Sequence, residues 1–137
     1  MEKQDRPDWI EFDMTATRRR HDQLYVTLNP KGEFVLSLKT YQRMKEPAAV
    51  ILLYDRNTDI IGLRPASDET RNAILVRTRH SRYNRVVRSL PFLHEHGIMP
   101  PRTVQFPTAR IDDQGVLCLP LRERIAAGHM PRKSERR

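Results

Sequence analysis

Several absences narrow the reading of this chain before any motif is weighed. Its 137 residues hold one cysteine, Cys118, so neither a disulfide framework nor a thiolate cluster for zinc can form within it. Cys118 lies in the apolar string VLCLPL and is expected as a small buried hydrophobe on a strand. No apolar run approaches the roughly 20 residues that span a bilayer. The opening MEKQDRPDWIEF also lacks the apolar stretch of a signal peptide, so a cytoplasmic protein with no membrane partner is expected. Only five glycines occur, and neither a phosphate-cradling glycine loop nor a nucleophile motif is present. His94 and His96 are two apart on a predicted helix, where a chelate needs three or four, and His21, His80 and His129 have no cysteine or acid at ligand spacing. The expectation is therefore a protein that is not an enzyme, with no catalytic residue, no metal and no cofactor.

What the chain has in excess is positive charge. Hydrophobic residues at 38% and charged residues at 31% describe a foldable, highly charged domain. A net charge of +8 and a pI near 10.2 give a field that attracts polyanions. Charge alone selects no partner, so the placement of the arginines has to do so.

Along the chain, residues 1–23 form an N-terminal arm in which the alternating string WIEFDM suggests an edge strand placing Trp9 or its neighbours against the core. Arg18, Arg19 and Arg20 follow, read as a solvated loop or as a phosphate-contacting arm. YVTLNPKGEFVLS is two apolar runs around an Asn-Pro-Lys-Gly turn, a hairpin. Ser37 can cap a short helix with Leu38, Tyr41 and Met44 on one stripe, and Pro47 helps stop it. AVILLYD and DIIGLRPA, joined by Arg56, Asn57 and Thr58, make a second hairpin.

After a polar link at 67–72 the order returns. AILVRTR, a turn at 81–84, RVVRS, a helix-like SLPFLHEHG, then TVQFPTARID and GVLCLPL repeat the sequence of elements, with Asp112 and Asp113 at the tip of the last hairpin. Over its best stretch the second copy is displaced by 52 positions: Gly32 falls on Asn84, Phe34 on Val86, Val35 on Val87, Ser37 on Ser89 and Leu38 on Leu90, so the turn residue that tolerates φ > 0, the strand and the helix N-cap are all expected to recur. Extra residues near Met99, Pro100 and Pro101 then shift the register. The expected fold is mainly β with short helices, in the α+β class. It comprises two tandem β-β-α-β-β repeats, residues 24–66 and 67–121, closed into one barrel-like body and followed by a basic flexible tail at 122–137.

At GEFVLSLKTYQRM the spacing of Gly32, Phe34, Leu36 and Met44 resembles the AbrB-like swapped-hairpin family of bacterial transcription regulators. The second copy also has that family's Gly-Ile pair, as Gly97 and Ile98. Two such units in one chain are similar to the tandem arrangement of the MraZ branch, and the likeness covers about 95 residues, from 25 to 121. It implies interleaved hairpins that present basic edges to a DNA groove. Where the family favours arginine, the first copy has Glu33, while the second keeps Arg85.

The densest basic stretch points the same way from the residues themselves. Arg71, Arg77, Arg79, Arg82, Arg85 and Arg88 share about 18 residues with no acid among them. Guanidinium forks pair with phosphates and guanine edges, and a two-stranded ribbon fits a major groove. The nucleic-acid contacts are expected from Arg77, Arg79, Arg82, Arg85 and Arg88, helped by Arg18, Arg19 and Arg20, on double-stranded DNA, with RNA a variant that the residues do not separate from it. Two alternatives stand beside this: arginines that merely keep an edge strand from aggregating, and a protein-interaction or structural module, antitoxin-like, on the same scaffold. A homo-oligomer is open in either case.

Overall fold

The structure, a computed structural model, describes residues 7–13, 23–79 and 83–127. Strands β1 (Val26–Leu28) and β2 (Glu33–Ser37) form the first hairpin. Its turn is held by the Asn29 side chain, whose Oδ1 accepts from the Lys31 and Glu33 N–H groups, and by Gly32, which takes φ +81°. A side chain at Gly32 would place Cβ 2.9 Å from the Leu90 Cα, so both torsion and space require glycine there.

Helix α1 (Leu38–Arg43) begins where expected, with Ser37 Oγ accepting from the Thr40 N–H at 3.2 Å. Its anchor differs from the expected stripe. Met44 reaches the core, but Thr40 is the fully buried residue of the helix, and its Oγ1 accepts from the Tyr25 N–H at 2.8 Å. Strands β3 (Ala49–Asp55) and β4 (Ile60–Ala66) form the second hairpin, whose turn is tied by Asp55 accepting from the Asn57 N–H and the Thr58 hydroxyl.

The second half departs from continuous strands. The run AILVRTR divides into β5 (Ile74–Leu75) and β6 (Arg77–Thr78), which pair in different sheets, β5 with β3 and β6 with β7 (Asn84–Arg88). Val76, between them, packs against the core while its N–H donates to the Ala48 carbonyl, so the chain bends there from one sheet to the other. Helix α2 (Leu90–His96) follows and ends on Gly97 at φ +65°. TVQFPTARID also divides, into β8 (Val104–Gln105) and β9 (Arg110–Ile111), before β10 (Leu117–Pro120). A 3-10 turn (Leu121–Glu123) leads to β11 (Ile125–Ala126), which pairs with β8, so ladder structure continues past residue 122.

Two antiparallel sheets result, in the orders β11-β8-β1-β2-β7-β6 and β5-β3-β4-β10-β9. Each takes strands from both halves of the chain, and the mainly β fold with two short helices is as expected. Between the sheets lies one core that includes Val26, Leu28, Phe34, Leu36, Ile61, Leu63, Val87, Leu93, Phe106, Leu117 and Leu119. No helix among the described residues is long and apolar enough to cross a membrane.

Three expectations need correction. Residues 7–13 form no strand, and Trp9, Ile10 and Phe12 are 86%, 89% and 68% exposed, so the segment neither pairs with a sheet nor packs on the core. Ser89 sits at the start of α2 but caps nothing: its hydroxyl donates to the Val87 carbonyl, and Pro91 opens the helix instead. Asn84 does not repeat the left-handed turn of Gly32. It is the first residue of β7, and the left-handed non-glycine positions among the described residues are Lys45, Glu46, Asp59 and Asn72.

Candidate nucleic-acid interface

Strand periodicity sorts the six-stranded sheet into two faces. Val26, Leu28, Phe34, Leu36 and Val87 point to the core, so Thr27, Val35 and Val86, which alternate with them, point away. The register carries this outer row across the whole sheet: Ile125 lies opposite Gln105, Gln105 opposite Thr27, Thr27 opposite Val35, Val35 opposite Val86, and Val86 opposite Arg77. The next outer positions bring Glu33 opposite Arg88 and Ser37 opposite Asn84.

At the β6 end this face forms an open groove of about 710 Å³ lined by Lys31, Glu33, Arg77, Thr78, Arg79, Val86 and Arg88. Four cations thus surround one carboxylate over the apolar floor of Val86. Glu33 is held in place, accepting from the Asn29 Nδ2 at 3.0 Å and pairing with an Arg79 Nη2 at 3.9 Å. That pair is exposed on the arginine side and weak, and it leaves the groove positive overall.

Of the expected contacts, Arg77, Arg79 and Arg88 come together here. Arg85 does not join them. It lies opposite Leu36 on the core-facing side of β7 and stacks over the Tyr41 ring at 5.0 Å to the centroid. Alternation decides this: Arg85 is an odd number of residues from Arg88, so the two project to opposite faces. Arg82, Arg18, Arg19 and Arg20 lie outside the described residues. Lys31 also lines the groove and was not among the expected residues, because a turn lysine in the first hairpin becomes a neighbour of Arg88 only through the β2-β7 pairing.

Elsewhere among the described residues, several groups that carry chemistry have local partners, although the buried His96 Nδ1 has no hydrogen-bond partner. Burial pushes the Cys118 thiol up, and the Asp112 carboxylate adds to this, so its thiolate is disfavoured. Asp112 accepts from the Gln114 and Val116 N–H groups and serves the expected turn. Tyr54 donates to Asp59 at 2.5 Å, which raises its pKa. No three His, Cys, Asp or Glu residues among those described are grouped to hold a metal. No family model, curated protein or solved structure matches this chain.

Proposed function

We propose that this chain is a DNA-binding protein, a transcription regulator of the AbrB-like swapped-hairpin kind with its two units in tandem. The observation that carries the binding is the groove in which Lys31, Arg77, Arg79 and Arg88 face solvent around Glu33. Phosphate pairing is favoured by cations gathered on one face, and Arg77 in the edge strand β6 and Arg79 just beyond its end are two residues apart.

The tandem reading is supported by strand order. Exchanging β1 with β6, β2 with β7, β3 with β9 and β4 with β10 leaves the four-strand blocks β1-β2-β7-β6 and β3-β4-β10-β9 reading the same, with the equivalent strands β2 and β7 meeting in one and β4 and β10 in the other, while β5, β8 and β11 fall outside the exchange. Two units related by a two-fold axis would pair in this way. A single unit exposes the inner edges of β2 and β4 and buries little on its own.

The test is an anisotropy titration of the whole chain on random duplex DNA at several salt concentrations, beside an Arg77→Ala, Arg79→Ala, Arg88→Ala variant. Three or four phosphate contacts predict a log–log salt slope of about −3 to −4, reduced by about 2 to 3 units in the variant. Equal binding by the variant removes the groove from the interface. A hairpin RNA in a parallel titration decides between the two nucleic acids. A second reading, a protein-interaction module, is favoured by the exposed Trp9, Ile10 and Phe12, and it predicts no duplex binding even at low salt.

A further inference from the structure

The exposed segment at residues 7–13, PDWIEFD, carries three carboxylates, Asp8, Glu11 and Asp13, and no base. We propose that this acidic, aromatic arm docks on the basic groove of its own chain, along β6, and occupies the surface that a polyanion would take. The inference needs the charge of the groove but not any particular ligand for it.

Four features fit the two together. Charge is opposite, with Lys31, Arg77, Arg79 and Arg88 against Glu33 alone on the groove side. Spacing also matches. In an extended arm Trp9, Glu11 and Asp13 share one face, two residues apart and so about 6.7 Å from one to the next, and Arg77 and Arg79 are spaced in the same way. The groove floor supplies an apolar contact in Val86, and its guanidinium groups offer partners to an indole face. Finally, β6 is the terminal strand of its sheet among the described residues, which leaves one of its sides to a further extended segment.

Reach is sufficient within one chain. Tyr25 lies at the end of the sheet where Arg79 also lies, since its carbonyl accepts from the Ser37 N–H, Ser37 is opposite Asn84, and the Asn84 carbonyl accepts from the Arg79 N–H. From β1 to β6 is three strand intervals, about 14 Å. Nine residues separate Asp13 from Gln23, and nine extended residues reach about 30 Å at most.

Trp9 is the only tryptophan of the chain and reports on the arm directly. Acrylamide quenching of Trp9 is measured in the whole chain at low and high salt, in an Asp8→Asn, Glu11→Gln, Asp13→Asn variant, and in the Arg77→Ala, Arg79→Ala, Arg88→Ala variant. Docking through a few exposed ion pairs predicts a quenching constant about twofold lower in the wild type at low salt, rising to the variants' value at high salt. Either variant alone should abolish the protection, and duplex DNA should release the arm.

A Trp9 quenched equally in all three proteins at every salt concentration would overturn the inference. Protection that grows with protein concentration would overturn it too, since the arm would then lie on another copy. The outcomes separate from those of the functional reading. A protected Trp9 without duplex binding sustains the docked arm and defeats the regulator, whereas duplex binding with an unprotected Trp9 does the reverse.

Discussion

The first hairpin of the six-stranded sheet, β1 and β2, is flanked on both sides, by β8 and β11 beyond β1 and by β7 beside β2. The second, β6 and β7, has a neighbour among the described residues only on the β7 side. That difference tracks their residues. The inner hairpin places Val26, Leu28, Phe34 and Leu36 in the core and carries Glu33 at the outer position opposite Arg88. The outer hairpin sends Val87 inward and presents Arg77, Arg79 and Arg88. A similar strand pair thus holds the body together in one half and offers a charged edge in the other.

The sharpest way to break this contrast is to remove core volume from the inner hairpin. Phe34→Ala should cost about 3–5 kcal/mol, read from urea unfolding, while Val86→Ala, on the outer face opposite Val35, should cost distinctly less. If the two costs are equal, the division of labour between the hairpins is wrong. Gly32→Ala comes next, because it adds left-handed strain to an overlap with the Leu90 backbone, together about 2–4 kcal/mol. Gly97→Ala, left-handed but with open space around it, should cost about 1 kcal/mol.

Charge removal acts the other way round. The Arg77→Ala, Arg79→Ala, Arg88→Ala variant should keep its stability to within about 0.5 kcal/mol per site while duplex affinity at low salt falls by about tenfold to a hundredfold. Arg85→Ala should do the opposite on a smaller scale. Loss of its stacking on Tyr41 costs about 0.5–1 kcal/mol, and DNA affinity hardly changes, which sharpens the two-faced reading of β7.

The smallest effects are those of pH at the β3-β4 hairpin. The Thr58 hydroxyl, then the Asn57 N–H, hold the Asp55 carboxyl below its ordinary 3.8. Its contribution is therefore present above 3.8 and lost as pH falls through the lower folded value. Tyr54, raised above 10.0 chiefly by its bond to Asp59, contributes below 10.0 and loses that contribution as pH rises through its folded value. A Thr58→Val variant followed by NMR titration should bring Asp55 back toward 3.8 and leave Tyr54 where it was.

Much of this organisation is legible in local sequence. The hairpin at 25–37, the cap at Ser37, the β3-β4 hairpin and the Asp112 turn all follow from turn and capping chemistry acting over a few residues. What is not legible depends on partners far away in the chain. The breaks at Val76 and after Gln105 arise because each run must serve two sheets. Lys31 enters the groove through a pairing between strands about 50 residues apart. The alternation that separates Arg85 from Arg88 can be read from sequence, but which of them faces the core depends on that same pairing.

The meeting of β2 with β7 and of β4 with β10 has a consequence for dissecting the chain. Both contacts at the sheet centres are made between the halves, so cleavage in the 67–72 link leaves the Ser89 N–H bonded to the Gly32 carbonyl and every central ladder intact. Such a nicked protein should elute as a single two-piece species. The halves made separately should each hide their bare central strands against a copy of themselves, then exchange into the mixed pair when combined, an instance of fragment complementation written into the order of the strands.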